Sequence, residues 1–218
     1  MITAHSGSDG TKENSIEFIN TFLNEGIEAI EIDVRKDDHT NELYLSHDKS
    51  GTSNHPLLRD CLKIIVNNPN LKVNCDLKEE NLEKDVIQLF KEFNLFDSLI
   101  FSGTVNVSNI NENNRPIICF NVENIINDIY TNYDNYSYEY IIETIDCYFK
   151  EKHITVLNIN YKFCSDKMIE DLKRRNIDVS LWTVDDSKQR IHYIKENVYN
   201  ITTRQVRDAI KERKCLNI

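Results

Sequence analysis

In the run Ile30-Glu31-Ile32-Asp33-Val34-Arg35 apolar and charged residues alternate strictly. An extended strand sends the two sets to opposite faces, so Glu31, Asp33 and Arg35 share one side. The run Lys72–Leu77 repeats the theme, with Val73, Cys75 and Leu77 on one face and Asn74, Asp76 and then Lys78 on the other. In an antiparallel sheet such a charged face would simply lie in water, whereas a parallel sheet is covered on both sides. Carboxylates set side by side away from water need a cation or a proton between them. Glu31, Asp33 and Asp76, with no thiolate among them, form a hard oxygen set suited to Mg²⁺ or Ca²⁺. Ion pairing with Arg35 and Lys78 is the structural alternative. His5 and His47 add chemistry if both reach the same rim: one imidazole can take a proton from a nucleophile while the other supplies one to a departing alkoxide. A metal on the non-bridging oxygens would stabilise the charge that accumulates there. Metal, base and acid together make a coherent phosphodiesterase site.

These residues need elements to bring them together. Strand-like runs fall at Met1–His5, Ala29–Arg35, Lys72–Leu77, Ser98–Ser102, Pro116–Asn121, Val156–Tyr161, Val179–Val184 and Tyr199–Thr202. Helical periodicity lies between them at Ser15–Glu25, Pro56–Asn67, Leu82–Phe93, Tyr138–Lys152, Asp166–Arg175, Ser187–Glu196 and Val206–Lys214. The connection Asn106–Arg115 shows only weak helical signal, and Asn109–Asn114 and Asn132–Asn135 read as loops. Alternating strands and helices predict a (β/α)8 TIM barrel, whose sites are built at the C-terminal strand ends. A doubly wound open sheet fits the alternation too, but His5-Ser6-Gly7-Ser8-Asp9-Gly10 lacks the Gly-rich spacing of its first turn. One excursion breaks the pattern: the polar turn Lys36–Asn41 leads to a short strand, Glu42–Ser46, that returns His47 to the barrel mouth.

At 218 residues the chain is long enough for one buried core and is expected to be a single, lean domain over 1–218. The formal net charge of −10, with no basic run interleaved with aromatics, argues against nucleic acid as a partner. A phosphate-bearing small molecule would therefore need a local positive site rather than a global field. Six cysteines without CxxC spacing read as reduced, mostly core residues rather than disulfides or a thiolate metal site. MITAHSG has no signal-peptide pattern, and no apolar run approaches a membrane span, so a soluble cytoplasmic protein is the expectation.

Ala4-His5-Ser6-Gly7, Glu13-Asn14-Ser15, Glu31-Ile32-Asp33-Val34 and Ser46-His47-Asp48 resemble, in order and spacing, the HRG, PENT, ExDV and HD motifs of the glycerophosphodiester phosphodiesterase family. Val73–Lys78 is similar to that family's NxExK segment, and Leu181-Trp182-Thr183-Val184 to its late WTV strand. The resemblance implies a TIM barrel that hydrolyses glycerophosphodiesters to sn-glycerol 3-phosphate and an alcohol with bound Ca²⁺ or Mg²⁺. On the matching positions Glu31, Asp33 and Asp76 would hold the metal, His5 and His47 would be the general acid/base pair, and Lys78 would contact phosphate. The glycerol hydroxyl beside the ester would attack phosphorus, giving a cyclic phosphate that water opens. Trp182 would line the substrate mouth, or pack the barrel.

Several positions depart from the family pattern. Ser6 takes the place of the HRG arginine, leaving a hydroxyl where a bidentate phosphate clamp is expected at the substrate. Arg35, on the carboxylate face, is the candidate replacement. Lys12 replaces the Pro of PENT, and Asp76 is one methylene shorter than the usual Glu, as in the related spider-venom sphingomyelinase D enzymes. Only Lys49–His55 stands where the family carries a capping insertion, which predicts a more open site. Ile201-Thr202-Thr203-Arg204 replaces the terminal I-T-D-x-P. Two alternatives follow: cleavage to a cyclic phosphate as final product, of the sphingomyelinase D type, and a weakly active or inactive barrel that binds phosphate ligands.

Overall fold

The computed structural model describes residues 1–23, 25–50 and 54–217. Eight parallel strands among them close into a barrel: β1 (Ile2–Ala4), β2 (Ala29–Lys36), β4 (Lys72–Leu77), β5 (Leu99–Gly103), β6 (Ile117–Asn121), β7 (Val156–Asn160), β8 (Asp178–Trp182) and β9 (Asn200–Thr203). Pairing of β1 with both β2 and β9 completes the ring. The expected open-sheet alternative is thereby excluded, and the TIM barrel stands. The excursion is also present: β3 (Leu43–Leu45) folds back antiparallel on β2, with Val34 opposite Leu45 and Arg35 opposite Tyr44.

Helices α1 (Ile16–Phe22), α2 (Leu58–Ile65), α3 (Glu83–Glu92), α5 (Tyr138–Lys152), α6 (Asp166–Arg174), α7 (Ser187–Lys195) and α8 (Val206–Cys215) wrap the outside. Four of them begin where a side chain accepts a free amide of the first turn: Ser15 from Phe18, Ser137 from Tyr140, Ser165 from Met168 and Asp186 from Gln189. Their ends explain how a chain with five glycines can turn so often. Asn94, Asn176 and Asn197 adopt the left-handed conformation just past α3, α6 and α7, and the next residue's amide reaches back to Phe90, Leu172 and Tyr193. Asparagine tolerates positive φ, and the following Leu95, Ile177 or Val198 is buried, closing each helix onto the next strand. The sequence pattern ran α1 on to Glu25; the helix stops at Phe22, and residue 24 lies outside the described residues.

Two segments differ from expectation. Asn106–Arg115 forms two 3₁₀ turns, Val107–Asn109 and Glu112–Asn114, rather than a helix, each started by an Asn side chain that accepts a nearby amide. The segment around Asn132–Asn135 contains a short helix, α4 (Ile129–Asn132), before its turn.

The main core lies between the outer face of the strands and the helices, with Ile30, Ile32, Val34, Val73, Cys75 and Leu77 fully buried there. Each such residue contributes about 1.5–3 kcal/mol, so this layer supplies much of the stability. The barrel interior can then be polar. Thr3 donates to Asn200, Asn200 to Ser180 and Thr202, Asn158 to Asn121, and Asn74 to Ser102, at 2.7–3.1 Å. Paired in this way, interior amides and hydroxyls avoid the cost of burial without a partner. No helix among the described residues is long and apolar enough to cross a membrane.

Candidate active site

At the C-terminal mouth of the barrel a cavity of about 490 Å³ is walled by residues from nearly every strand end. Strand register brings the acids together: Asp33 lies opposite Asp76, and Glu31 opposite Asn74. Glu31, Asp33 and Asp76 each place a carboxylate oxygen within 4.8 Å of the others. Glu31 is buried, and that burial, followed by repulsion from Asp33 and Asp76, holds its carboxyl well above the usual range. Ser6 N–H donates to it at 3.0 Å. Asp33 is held at both ends by Asn14, which donates Nδ2–H to Oδ2 at 2.7 Å and accepts the Asp33 amide at 2.9 Å.

Lys78 pairs with Asp33 at 2.9 Å and with Asp76. Burial works against its charge, but Asp76 and Asp33 outweigh it and hold the ammonium protonated. One ammonium among three carboxylates leaves negative charge over. Asn74 Oδ1, buried on the same wall, has no hydrogen-bond partner among the described residues. Three carboxylates beside an unpartnered amide oxygen are a fitting donor set for Mg²⁺ or Ca²⁺.

The histidines reach this cavity by different routes. His5 follows β1, and its Nδ1 donates to the Ser6 carbonyl at 2.8 Å, because a carbonyl can only accept. That leaves Nε2 as the acceptor, with Arg204 Nη2 3.3 Å away. Burial chiefly pushes the His5 pKa down. His47 is delivered by β3, with Ser46 N–H on the Asp33 carbonyl at 3.1 Å. Its ring is 67% exposed and bonds Asp48 Oδ1 through Nδ1 at 3.0 Å. The sequence-derived set His5, His47, Glu31, Asp33, Asp76, Lys78 and Trp182 thus lines one cavity. Trp182 also packs edge-on against Tyr130, with ring centroids 6.0 Å apart, so lining and packing are not alternatives for it.

Two expectations need correction. Arg35 does not line the cavity: its Nε and Nη2 donate to the His47 carbonyl at 3.0 and 2.7 Å, and Nη1 to Glu79 at 3.0 Å. Two arms of the fork hold the β3 excursion and the third is paired with Glu79 beyond β4. Ser6 is buried, with its hydroxyl accepting the Asn14 amide at 2.6 Å, and does not line the cavity. Asn14 and Arg204 sit in segments that resemble family motifs, but neither has a role legible from the sequence. Glu123, which lines the far side and accepts from Asn121 and Tyr130, carried no signal at all.

Comparison with solved structures places this architecture. A glycerophosphodiester phosphodiesterase from Parabacteroides distasonis superposes with a TM-score of 0.73, at 19% identity over 100% of this chain and 98% of that one. An Oleispira antarctica phosphodiesterase, in complex with the product sn-glycerol-3-phosphate, gives 0.75 at 15% identity over 98% and 96%. A candidate glycerophosphoryl diester phosphodiesterase from Agrobacterium tumefaciens gives 0.81 at 12% identity over 99% and 98%. The chain has the fold of the glycerophosphodiester phosphodiesterases. No family model matches its sequence, and no curated protein does either. At identities this low, backbone geometry persists where side-chain identity has largely gone, and any role rests on the residues at the mouth. Among the described residues, the expected lean connection after His47-Asp48 leads to Leu58, the start of α2, with no further domain between; residues 51–53 lie outside them.

Proposed function

We propose that this chain is a metal-dependent phosphodiesterase that hydrolyses glycerophosphodiesters to sn-glycerol 3-phosphate and an alcohol. The observation that carries the reading is the convergence of His5, His47 and Lys78 on the Glu31, Asp33 and Asp76 cluster, in one cavity of this fold. Glu31, Asp33 and Asp76 would hold Mg²⁺ or Ca²⁺, which when bound supplies positive charge to the non-bridging phosphate oxygens.

The chain's own residues do the proton work. His5, with Nδ1–H tied to the Ser6 carbonyl, offers Nε2 to the glycerol hydroxyl adjacent to the ester. That hydroxyl forms the new bond to phosphorus as His5 takes its proton. The bond to the departing alcohol breaks as His47, at the open edge of the mouth, protonates the leaving oxygen. Water then opens the cyclic phosphate with the two roles exchanged. Lys78 fixes the relative position of Asp33 and Asp76 and presents its ammonium to the phosphate. Trp182 forms an apolar wall against the substrate.

The test is turnover of a panel of glycerophosphodiesters, with lysophospholipids and bis(p-nitrophenyl) phosphate alongside, in Mg²⁺ or Ca²⁺. Release of sn-glycerol 3-phosphate that stops with chelator is expected. Absence of turnover on the whole panel in either metal overturns the proposal. A cyclic phosphate persisting in the phosphorus NMR spectrum assigns the sphingomyelinase D type of cleavage instead.

A further inference from the structure

The cavity holds an imbalance that a phosphodiester would have to overcome. Glu13, Glu31, Asp33, Asp76 and Glu123 line it, while Lys78 and Arg204 are the lysine and arginine on its wall among the described residues. Lys78 is engaged by two carboxylates. Arg204 is held differently. Its backbone is anchored on both sides, the amide donating to Asp185 Oδ1 at 2.7 Å and the carbonyl accepting from the Asp9 amide at 2.9 Å. Its guanidinium meets Asp185 only through a 3.5 Å contact at Nη1, and Nη2 lies 3.3 Å from His5 Nε2. Pairing of β1 with β9 is the cause: Ala4 is in register with Thr203, so the residues that follow, His5 and Arg204, leave the barrel side by side.

From this geometry we propose that Arg204, at the end of the last strand, is the phosphate-binding arginine of this chain. It takes the place left by Ser6, which is buried and does not line the cavity, and by Arg35, which is spent on His47. A guanidinium can give two parallel N–H bonds to the non-bridging oxygens of a phosphodiester or a phosphomonoester product, a geometry that an ammonium cannot reproduce. Bound there, the phosphate sits between Arg204 and the carboxylate cluster, with His5 Nε2 at its flank. The ligand class is a glycerol-linked phosphate, so the inference deepens the phosphodiesterase reading and rests on it for the reaction but not for the binding.

The experiment measures sn-glycerol 3-phosphate binding by calorimetry in Mg²⁺, and turnover separately, for the wild type, Arg204→Ala, Arg204→Gln and Arg204→Lys. The expected loss of affinity in Arg204→Ala and Arg204→Gln is roughly 30- to 100-fold, with Arg204→Lys between them and the wild type. Turnover of Arg204→Ala should fall by about 10²-fold in kcat/KM and recover in part with millimolar guanidinium, which a merely structural role would not allow. Unchanged thermal unfolding of Arg204→Gln excludes misfolding as the cause. Affinity of Arg204→Gln within about threefold of wild type, or a wild type that binds no glycerol phosphate, overturns the inference. A wild type that binds but does not turn over refutes the phosphodiesterase reading and leaves the assignment of Arg204 to the calorimetry.

Discussion

Asn14 ties a loop to a candidate metal ligand, and its removal has a magnitude that the structure allows to be worked out. Its side chain, 5% exposed, makes a charge-assisted bond to Asp33 Oδ2 and accepts the Asp33 amide. In Asn14→Ala the first loss is about 1.5–3 kcal/mol and the second about 1 kcal/mol. Asn14 also has φ of 49°, where alanine costs about 1–2 kcal/mol more. The sum is about 3.5–6 kcal/mol. For a domain of this size each kcal/mol lowers Tm by about 2–4 °C, so a fall of roughly 7–24 °C is expected by circular dichroism. Asn14→Gly isolates the side-chain part, since glycine accepts positive φ, and should recover about 1 kcal/mol of the loss. In the Asp33→Ala background the same substitution should cost at least about 1.5 kcal/mol less, because the charge-assisted bond is already gone. A Tm shift in Asn14→Ala smaller than about 3 °C, or strict additivity with Asp33→Ala, would refute the coupling.

Other consequences can be checked as directly. Mg²⁺ or Ca²⁺ at about 100 times its dissociation constant should add about 2.7 kcal/mol to stability, raising Tm by roughly 5–10 °C, and Glu31→Gln should abolish most of that rise; an identical shift in Glu31→Gln would place the ion elsewhere. His5→Ala and His47→Ala should each reduce kcat by about 10²–10⁴-fold, and the double variant by far less than the product, since both act on one transition state; near-normal turnover in either single variant contradicts the assignment. Maleimide should label the exposed Cys147 and Cys215 in the native protein and reach Cys61, Cys75, Cys119 and Cys164 only after unfolding. Burial pushes the thiols of Cys61, Cys119 and Cys164 up to about 12, from a usual value of 9.0. The native state therefore keeps them protonated where the unfolded chain ionises, so their contribution is whole below pH 9.0 and is lost as pH rises towards about 12. Chemical denaturation at stepped pH tests this sign; stability that rises over that window would reverse it.

Local pattern by itself determined the strand and helix series, the two faces of β2 and β4, and the return of His47 through β3. These follow from side-chain periodicity and turn chemistry, which act over a few residues and are written in their order. It also placed Glu31, Asp33, Asp76 and the two histidines at strand ends, because a parallel barrel collects those ends on one rim. Which cations face that rim was decided only by the tertiary structure. Arg35 shares a face with the carboxylates in sequence, yet the hairpin carbonyl of His47 captures its guanidinium. Arg204, 199 positions from His5, becomes its neighbour only when the first and last strands close the barrel. The hold of Asn14 on Asp33 likewise depends on a loop crossing the mouth, not on any spacing within the motif. Long flexible side chains choose among partners by distance and desolvation, and those are properties of the closed barrel rather than of the order of residues along the chain.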